Sequence, residues 1–120
     1  MANARVLVID DEFVLRAVLR DMLSSCGYQA DVAEDGPTAI AHFQQRRYDA
    51  VITDLTMPGM DGFEVVSVLR TIDPAVKVIM LTGSAPEQTA GRARATGLTL
   101  LHKPVGLGDL KAAVDAACEA

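Results

Sequence analysis

The chain has 120 residues, half of them apolar, and a formal net charge of −5. That length suits one domain with a proper core, and we expect a single domain over residues 1–120. The acidic balance argues against holding nucleic acid or an anionic membrane by charge, and no apolar run approaches the ~20 residues needed to cross a bilayer.

In chain order, residues 5–9 are a short apolar run closed by Asp10, Asp11 and Glu12, which reads as a buried strand and an acidic loop. Leu15, Val18, Leu19, Met22 and Leu23 then recur at helical spacing until Gly27 stops them. Residues 28–33 resume as a second strand, weakened by Gln29 and Asp31. Gly36-Pro37-Thr38 opens a second helix, with Ala39, Ile40 and Phe43 inward, running to about Arg47. Ala50 to Asp54 is an apolar run ending on an acid, followed by the turn Leu55 to Gly62 with its Pro and two Gly. Phe63, Val66 and Leu69 have helical spacing until Asp73-Pro74 ends the third helix. Residues 76–81 make strand four, closed by Thr82-Gly83-Ser84. The fourth helix, residues 86–96, offers mainly Ala90, Gly91, Ala93 and Ala95, so it should pack least firmly, because burial scales with apolar area. Residues 98–102 form strand five, Lys103-Pro104 breaks it, and the last helix places Leu107, Leu110, Val114 and Ala117 on one side.

Strands alternating with helices through short connections imply βαβ units and a parallel sheet covered on both faces. The expected fold is α/β: a flavodoxin-like three-layer (βα)5 architecture with strand order 2-1-3-4-5. Cys26 and Cys118 fit no metal or redox spacing and read as free, half-buried thiols. The N-terminus runs straight into a strand with no apolar signal segment, so a cytoplasmic protein is expected.

In such a sheet the carboxyl ends of all strands lie on one edge. Asp10 and Asp11 follow strand one, Asp54 ends strand three, Thr82 follows strand four and Lys103 follows strand five. Each alone is ordinary, since Asp is favoured at helix caps and loops; together they put three carboxylates, a hydroxyl and an ammonium in one place. Three adjacent carboxylates need a compensating cation, and Mg²⁺ takes oxygen ligands. Asp54 beside that ion could attack a phosphoryl group and form an acyl phosphate. Lys103, Thr82 and the backbone N–H groups of Leu55, Thr56 and Gly83 could meet the phosphoryl charge. A purely structural reading, in which Lys103 neutralises a buried acid pair, leaves the third carboxylate unexplained.

From about residue 4 to its end the chain resembles the receiver domain of two-component response regulators. The match rests on Val8-Ile9-Asp10-Asp11-Glu12, on Asp54 to Glu64, on Val78-Ile79-Met80-Leu81-Thr82-Gly83 and on Lys103-Pro104. The resemblance implies a phosphoacceptor module rather than an enzyme, with assisted self-phosphorylation and self-dephosphorylation. Asp54 would be the acceptor. Asp11, Asp54 and the Thr56 carbonyl would bind Mg²⁺ directly, with Asp10 acting through water. Lys103 would pair with Asp54, and the Lys103-Pro104 bond would be cis. Thr82 would draw the loop after strand four toward the phosphoryl group and shift the α4-β5-α5 face toward a downstream protein. The phosphodonor would be a histidine kinase or histidine phosphotransfer protein, and the receiver of a hybrid histidine kinase is one possible origin.

Departures from the family pattern matter too. Leu100 stands where many relatives carry the Tyr or Phe of a rotating switch, so changes in helix four are the expected output. Val105 replaces a Phe common after Lys-Pro. Thr56 and Ser84, at positions that tune phosphate lifetime, are small and neutral, which leaves solvent access to set that lifetime. His42 and His102 read as surface or packing residues, and Met57 and Met60 as turn packing. The alternatives are a receiver that signals without phosphorylation and a small Mg²⁺-dependent phosphohydrolase, which normally has a second Asp where Thr56 stands.

Overall fold

The apolar runs become strands and the amphipathic stretches helices in the computed structural model, which describes residues 4–83 and 87–119. In chain order the elements are β1 (Arg5–Ile9), α1 (Phe13–Ser25), β2 (Gln29–Ala33), α2 (Gly36–Gln45), β3 (Ala50–Asp54), α3 (Gly62–Ile72), β4 (Val78–Thr82), α4 (Glu87–Ala95), β5 (Thr99–His102) and α5 (Leu107–Glu119). The strands form one parallel sheet in the order β2-β1-β3-β4-β5, the expected flavodoxin-like arrangement.

Successive strand residues point to opposite faces, so each strand feeds two cores. Leu7, Ile9, Val51, Val78 and Met80 pack with Ala39, Phe43, Val65, Val66 and Leu69 from α2 and α3. Val6, Val8, Ile52, Ile79 and Leu81 pack with Leu19 and Leu23 of α1 and Leu110 and Val114 of α5. Because β3 and β4 are buried throughout and β1 nearly so, they read as continuous apolar runs. Each fully buried Leu, Ile or Val contributes about 1.5–3 kcal/mol. The interruptions in β2 also acquire a reason, since β2 is an edge strand. Arg5 of β1 reaches Asp31 at 3.3 Å and Gln29 at 2.6 Å, and Tyr48 donates to Asp31 at 2.6 Å.

Several expected boundaries shift because backbone hydrogen bonds claim the terminal residues. Tyr28 precedes β2 because its N–H donates to the Leu23 carbonyl and finishes α1 at Gly27, whose φ is +90°. The Val76 N–H donates to Asp73 within the turn after α3, so β4 begins at Val78 and runs through Thr82. Leu98 donates to Ala93 and leaves β5 to begin at Thr99. The Arg46 N–H caps α2 on the His42 carbonyl, two residues early. Val18, expected inward, is 41% exposed: at roughly 100° per residue it lies a quarter turn or more from Leu19 and Leu23, at the rim of the apolar stripe. Leu107 opens α5 one turn before the buried Leu110 and remains 46% exposed.

The weak packing expected of α4 is what the structure shows. Ala93 is the one buried residue of Glu87–Ala95. A further contact comes from Arg92, whose guanidinium lies 4.0 Å from the centroid of the Phe63 ring on α3. Cys26 and Cys118 are free and half-buried. Among the described residues no helix is long and apolar enough to cross a membrane.

Candidate functional site

The parallel sheet brings the strand ends together as expected. Asp54 ends β3, Asp10 follows β1, and Thr82 ends β4 on the neighbouring strand, one step beyond Leu81, the partner of Asp54. The Lys103 N–H donates to the Thr82 carbonyl at 2.8 Å and so fixes the start of the β5–α5 connection. The Lys103-Pro104 bond is cis.

The turn after Asp54 is built by local chemistry. Asp61 caps α3 in a reciprocal pair with Glu64: the Glu64 N–H donates to Asp61 Oδ1 at 2.8 Å, and the Asp61 N–H donates to Glu64 Oε1 at 3.0 Å. Gly62 then passes against the strand end, its N–H donating to the Leu55 carbonyl at 2.8 Å. A Cβ on residue 62 would stand 2.7 Å from the Asp54 carbonyl oxygen and 3.0 Å from Leu55 Cα, so the approach requires glycine. Met57 is buried and Met60 half-buried in the same core, the packing role expected of them.

Within this frame Asp10 is completely buried, Asp54 is 5% exposed, Thr82 is buried, and Asp11 and Thr56 are exposed. Carboxylate oxygens of Asp10, Asp11 and Asp54 lie within 4.8 Å of one another. The Lys103 Nζ stands 3.1 Å from Asp54 Oδ2 and 3.7 Å from both Asp10 Oδ2 and Glu12 Oε1. Burial pushes the Asp10 carboxyl above its usual range; the Glu12 N–H opposes this, Asp54 adds to it, and Lys103 opposes it without prevailing. Burial alone would lower the Lys103 ammonium, but the hydrogen bond to Asp54 and the charges of Asp10, Asp54 and Glu12 outweigh it and hold the ammonium above its usual range.

Three carboxylates (Asp10, Glu12 and Asp54) thus share one ammonium, and Asp11 adds a further negative charge beside Asp10 and Asp54, an imbalance a divalent cation offsets. Asp10 Oδ1 accepts the Glu12 N–H at 2.8 Å, while Asp10 Oδ2 is buried with no hydrogen-bond partner. An orphaned buried carboxylate oxygen beside two further carboxylates fits a hard, oxygen-seeking ion such as Mg²⁺.

Two expectations about the donors around Asp54 are refined. The Thr56 N–H lies 3.4 Å from Asp54 Oδ1 and remains with the site, whereas the Leu55 N–H donates to the Leu81 carbonyl at 2.9 Å and is consumed by the sheet. Gly83 is exposed, with open space where a Cβ would project. Ser84 lies outside the described residues. Leu100 is half-buried against the core formed with α2 and α3, so an aliphatic side chain fills the place of the aromatic ring. His42 is half-buried and His102 exposed.

The sequence reading assigned no role to two residues that reach the site, Glu12 and Arg16. Glu12 competes for Lys103, and the Arg16 guanidinium donates to the Asp10 carbonyl at 2.8 Å. A polar position between the apolar residues of a helix reads as solvent-facing, so periodicity hides such a contact.

Comparison with known proteins agrees with this geometry. The family described as the response regulator receiver domain matches residues 6–115. Sporulation initiation phosphotransferase F of Bacillus subtilis (strain 168) is 30% identical over 115 residues, covering 95% of this chain and 93% of that protein. Sensor histidine kinase RcsC of Escherichia coli (strain K12) is 35% identical over 107 residues; the match takes in 88% of this chain but only 11% of the kinase. Among solved structures, a response regulator receiver domain protein from Clostridium thermocellum superposes with a TM-score of 0.91 at 31% identity, covering 97% of this chain and 94% of that one. Chemotaxis protein CheY4 of Vibrio cholerae gives 0.89 at 32% identity, over 95% and 98% of the two chains. The order of the strands, the acid cluster at their carboxyl edge and these matches have one meaning: the chain belongs to the response regulator receiver domain family, the regulatory phosphoacceptor module of two-component phosphorelay signalling.

Proposed function

We propose that Asp54 is the phosphoacceptor of this receiver and that Mg²⁺ serves it, held by the carboxylates of Asp10, Asp11 and Asp54 and by the Thr56 carbonyl. The observation that carries the reading is the meeting of Lys103 Nζ with Asp54 Oδ2 at 3.1 Å beside the orphaned, buried Asp10 Oδ2. Bound there, the ion would neutralise carboxylate and phosphoryl charge. An oxygen of Asp54 forms the bond to phosphorus as the P–N bond of a donor phosphohistidine breaks, and the bonding pair leaves with the imidazole. Lys103 holds the Asp54 carboxylate in place and offers its ammonium to the charge on the transferred oxygens, and Thr82 supplies a hydroxyl from the adjacent strand. The donor is a histidine kinase or histidine phosphotransfer protein of the same cytoplasmic system.

Reversal uses the same groups, with water attacking phosphorus. Thr56 is small, neutral and exposed, so solvent access rather than a fixed base sets the lifetime of the phosphate. Output to a downstream protein runs through the α4-β5-α5 face. Its thinly anchored α4 is the element best able to change position or order when Asp54 is modified.

Incubation with acetyl phosphate and Mg²⁺ should add one phosphoryl group to the intact mass. The addition should be absent from Asp54→Asn and from wild type in excess chelator. Phosphorylation of Asp54→Asn at the wild-type level would remove Asp54 from the role. In a second measurement, beryllofluoride should change amide exchange in residues 87–95, and identical exchange with and without it would exclude α4 from the output.

A further inference from the structure

Six residues after Asp10, α1 turns a cation back toward the strand end it left. The Arg16 Nη1–H donates to the Asp10 carbonyl at 2.8 Å, while the Arg16 backbone N–H donates to the Glu12 carbonyl at 3.0 Å. The side chain is half-buried, and its guanidinium lies 5.7 Å from the centroid of the Phe13 ring. Asp10 is thereby held at three points. Its N–H donates to the Ala33 carbonyl of β2 at 3.1 Å, its carbonyl takes the Arg16 guanidinium, and its Oδ1 takes the Glu12 N–H. With these contacts made, little rotation is left to the residue, and Oδ2, which has no hydrogen-bond partner, is directed into the cluster, 3.7 Å from Lys103 Nζ.

We propose that Arg16 is a positioning residue for the acid cluster: by gripping the Asp10 carbonyl it fixes the Asp10-Asp11 turn so that both carboxylates meet Asp54 in one divalent-cation site. The inference rests on the reading of the cluster as a Mg²⁺ site. Groups that orient metal ligands without touching the metal typically change affinity by about 10- to 100-fold when removed. A charge-assisted hydrogen bond to a buried peptide is a strong form of such support.

Position and charge predict opposite signs here, which makes the role testable. If Arg16 acted only as a nearby positive charge, removing it would tighten binding of a divalent cation, because one repulsion disappears. If it positions the turn, removing it loosens binding. The measurement is a Mg²⁺ titration followed by amide chemical shifts, on wild type, Arg16→Met, Arg16→Lys and Arg20→Met. Arg20 lies exposed on the same helix and makes no hydrogen bond or ion pair with any described residue. Arg16→Met should weaken Mg²⁺ binding at least tenfold, and Arg16→Lys, which keeps a donor for the carbonyl, should recover part of that loss. Arg20→Met should bind as wild type or slightly more tightly. Wild-type or tighter affinity in Arg16→Met would overturn the proposal. So would equal weakening by Arg20→Met, since loss of helix charge would then suffice. Should Arg16→Met fail to fold, Arg16→Lys and Arg16→Gln carry the test, and both must bind Mg²⁺ more weakly than wild type. A wild-type protein that binds no Mg²⁺ would overturn the cluster reading itself, and the role of Arg16 with it.

Discussion

Replacing Gly62 by alanine tests the account of how Asp54 is placed. The added Cβ would meet the Asp54 carbonyl oxygen at 2.7 Å, 0.7 Å inside the 3.4 Å at which ordinary contact begins, and both Leu55 Cα and Met80 Cε at 3.0 Å. Two of these three atoms are backbone in a sheet with buried neighbours on both sides, so relief requires moving the end of β3 or the first turn of α3. Overpacking of this kind costs about 1–3 kcal/mol, from which the better helix propensity of alanine recovers less than about 1 kcal/mol. A net loss of about 1–2 kcal/mol follows. With unfolding entropy scaling by chain length, each kcal/mol lowers Tm by about 4 °C for 120 residues. Gly62→Ala should therefore melt about 4–8 °C below wild type and lose acetyl-phosphate reactivity, because the displaced atom belongs to the proposed acceptor residue. Gly91→Ala is the matched control: the nearest atom to its Cβ is Arg94 Nη2 at 3.8 Å, and α4 gains up to about 1 kcal/mol of helix propensity. The same substitution should thus lower Tm at residue 62 and leave it equal or higher at residue 91. A Gly62→Ala protein melting with wild type would refute the close approach on which the placement of Asp54 depends.

Asp10→Asn keeps an acceptor for the Glu12 N–H but removes a buried charge that burial already disfavours, so without divalent ions it should melt about 4 °C higher, worth about 1 kcal/mol, while losing stabilisation by added Mg²⁺. A Tm below wild type in chelator would show that the attraction to Lys103 outweighs that burial. Arg92→Ala removes a contact worth about 0.5–1 kcal/mol, which should speed amide exchange in residues 87–95 by about two- to fivefold and barely move the global Tm; unchanged exchange would mean that the contact with Phe63 does not hold α4. At the other end of the sheet Tyr28 donates to Asp115, which also binds Lys111 at 2.6 Å. Burial, then the bond to Asp115, raises the Tyr28 phenol well above its ordinary value, and the Lys111 and Tyr28 bonds lower the Asp115 carboxyl. The phenol's contribution is complete below about pH 10 and is lost as pH rises toward the folded value, whereas that of Asp115 is complete above about pH 4 and is lost on acidification. The Tm gap between wild type and Tyr28→Phe should accordingly be flat between those limits and shrink beyond both; a gap that widens in acid would contradict the pairing.

The fold was legible where apolar area decides. Buried strands such as Ala50–Asp54 and Val78–Thr82 are apolar until their final residues, Thr53-Asp54 and Thr82, so their runs are continuous and their ends marked. The boundaries that moved, at Tyr28, Val76 and Leu98, moved for a backbone reason: each residue is apolar and buried, yet its N–H goes back to the preceding helix or turn rather than into the sheet. Hydrophobic pattern registers burial and is blind to the direction of an N–H. Val18 marks the other limit, since spacing defines a stripe but not how far the neighbouring surface covers its rim.

The site was legible for the same topological reason, because a parallel sheet sends every strand's last residue to one edge, so Asp10, Asp54, Thr82 and Lys103 could be placed together before any distance was known. What stayed hidden were two residues, Arg16 acting through a backbone carbonyl and Glu12 as a rival for Lys103, and, in a turn already marked by its glycines, how closely Gly62 approaches Asp54. These are also where local preference and the requirements of the site disagree. A buried carboxylate oxygen has no hydrogen-bond partner, and a helix begins on glycine where alanine would favour it. Each costs stability in the isolated fold, and the proposed function gives each a reason: a cation would relieve Asp10 Oδ2, and a strand end held close to the turn would set Asp54 to meet a donor. The test of that reasoning is therefore a crossed one, in which Asp10→Asn gains stability as it loses Mg²⁺, while Gly62→Ala loses stability and reactivity together.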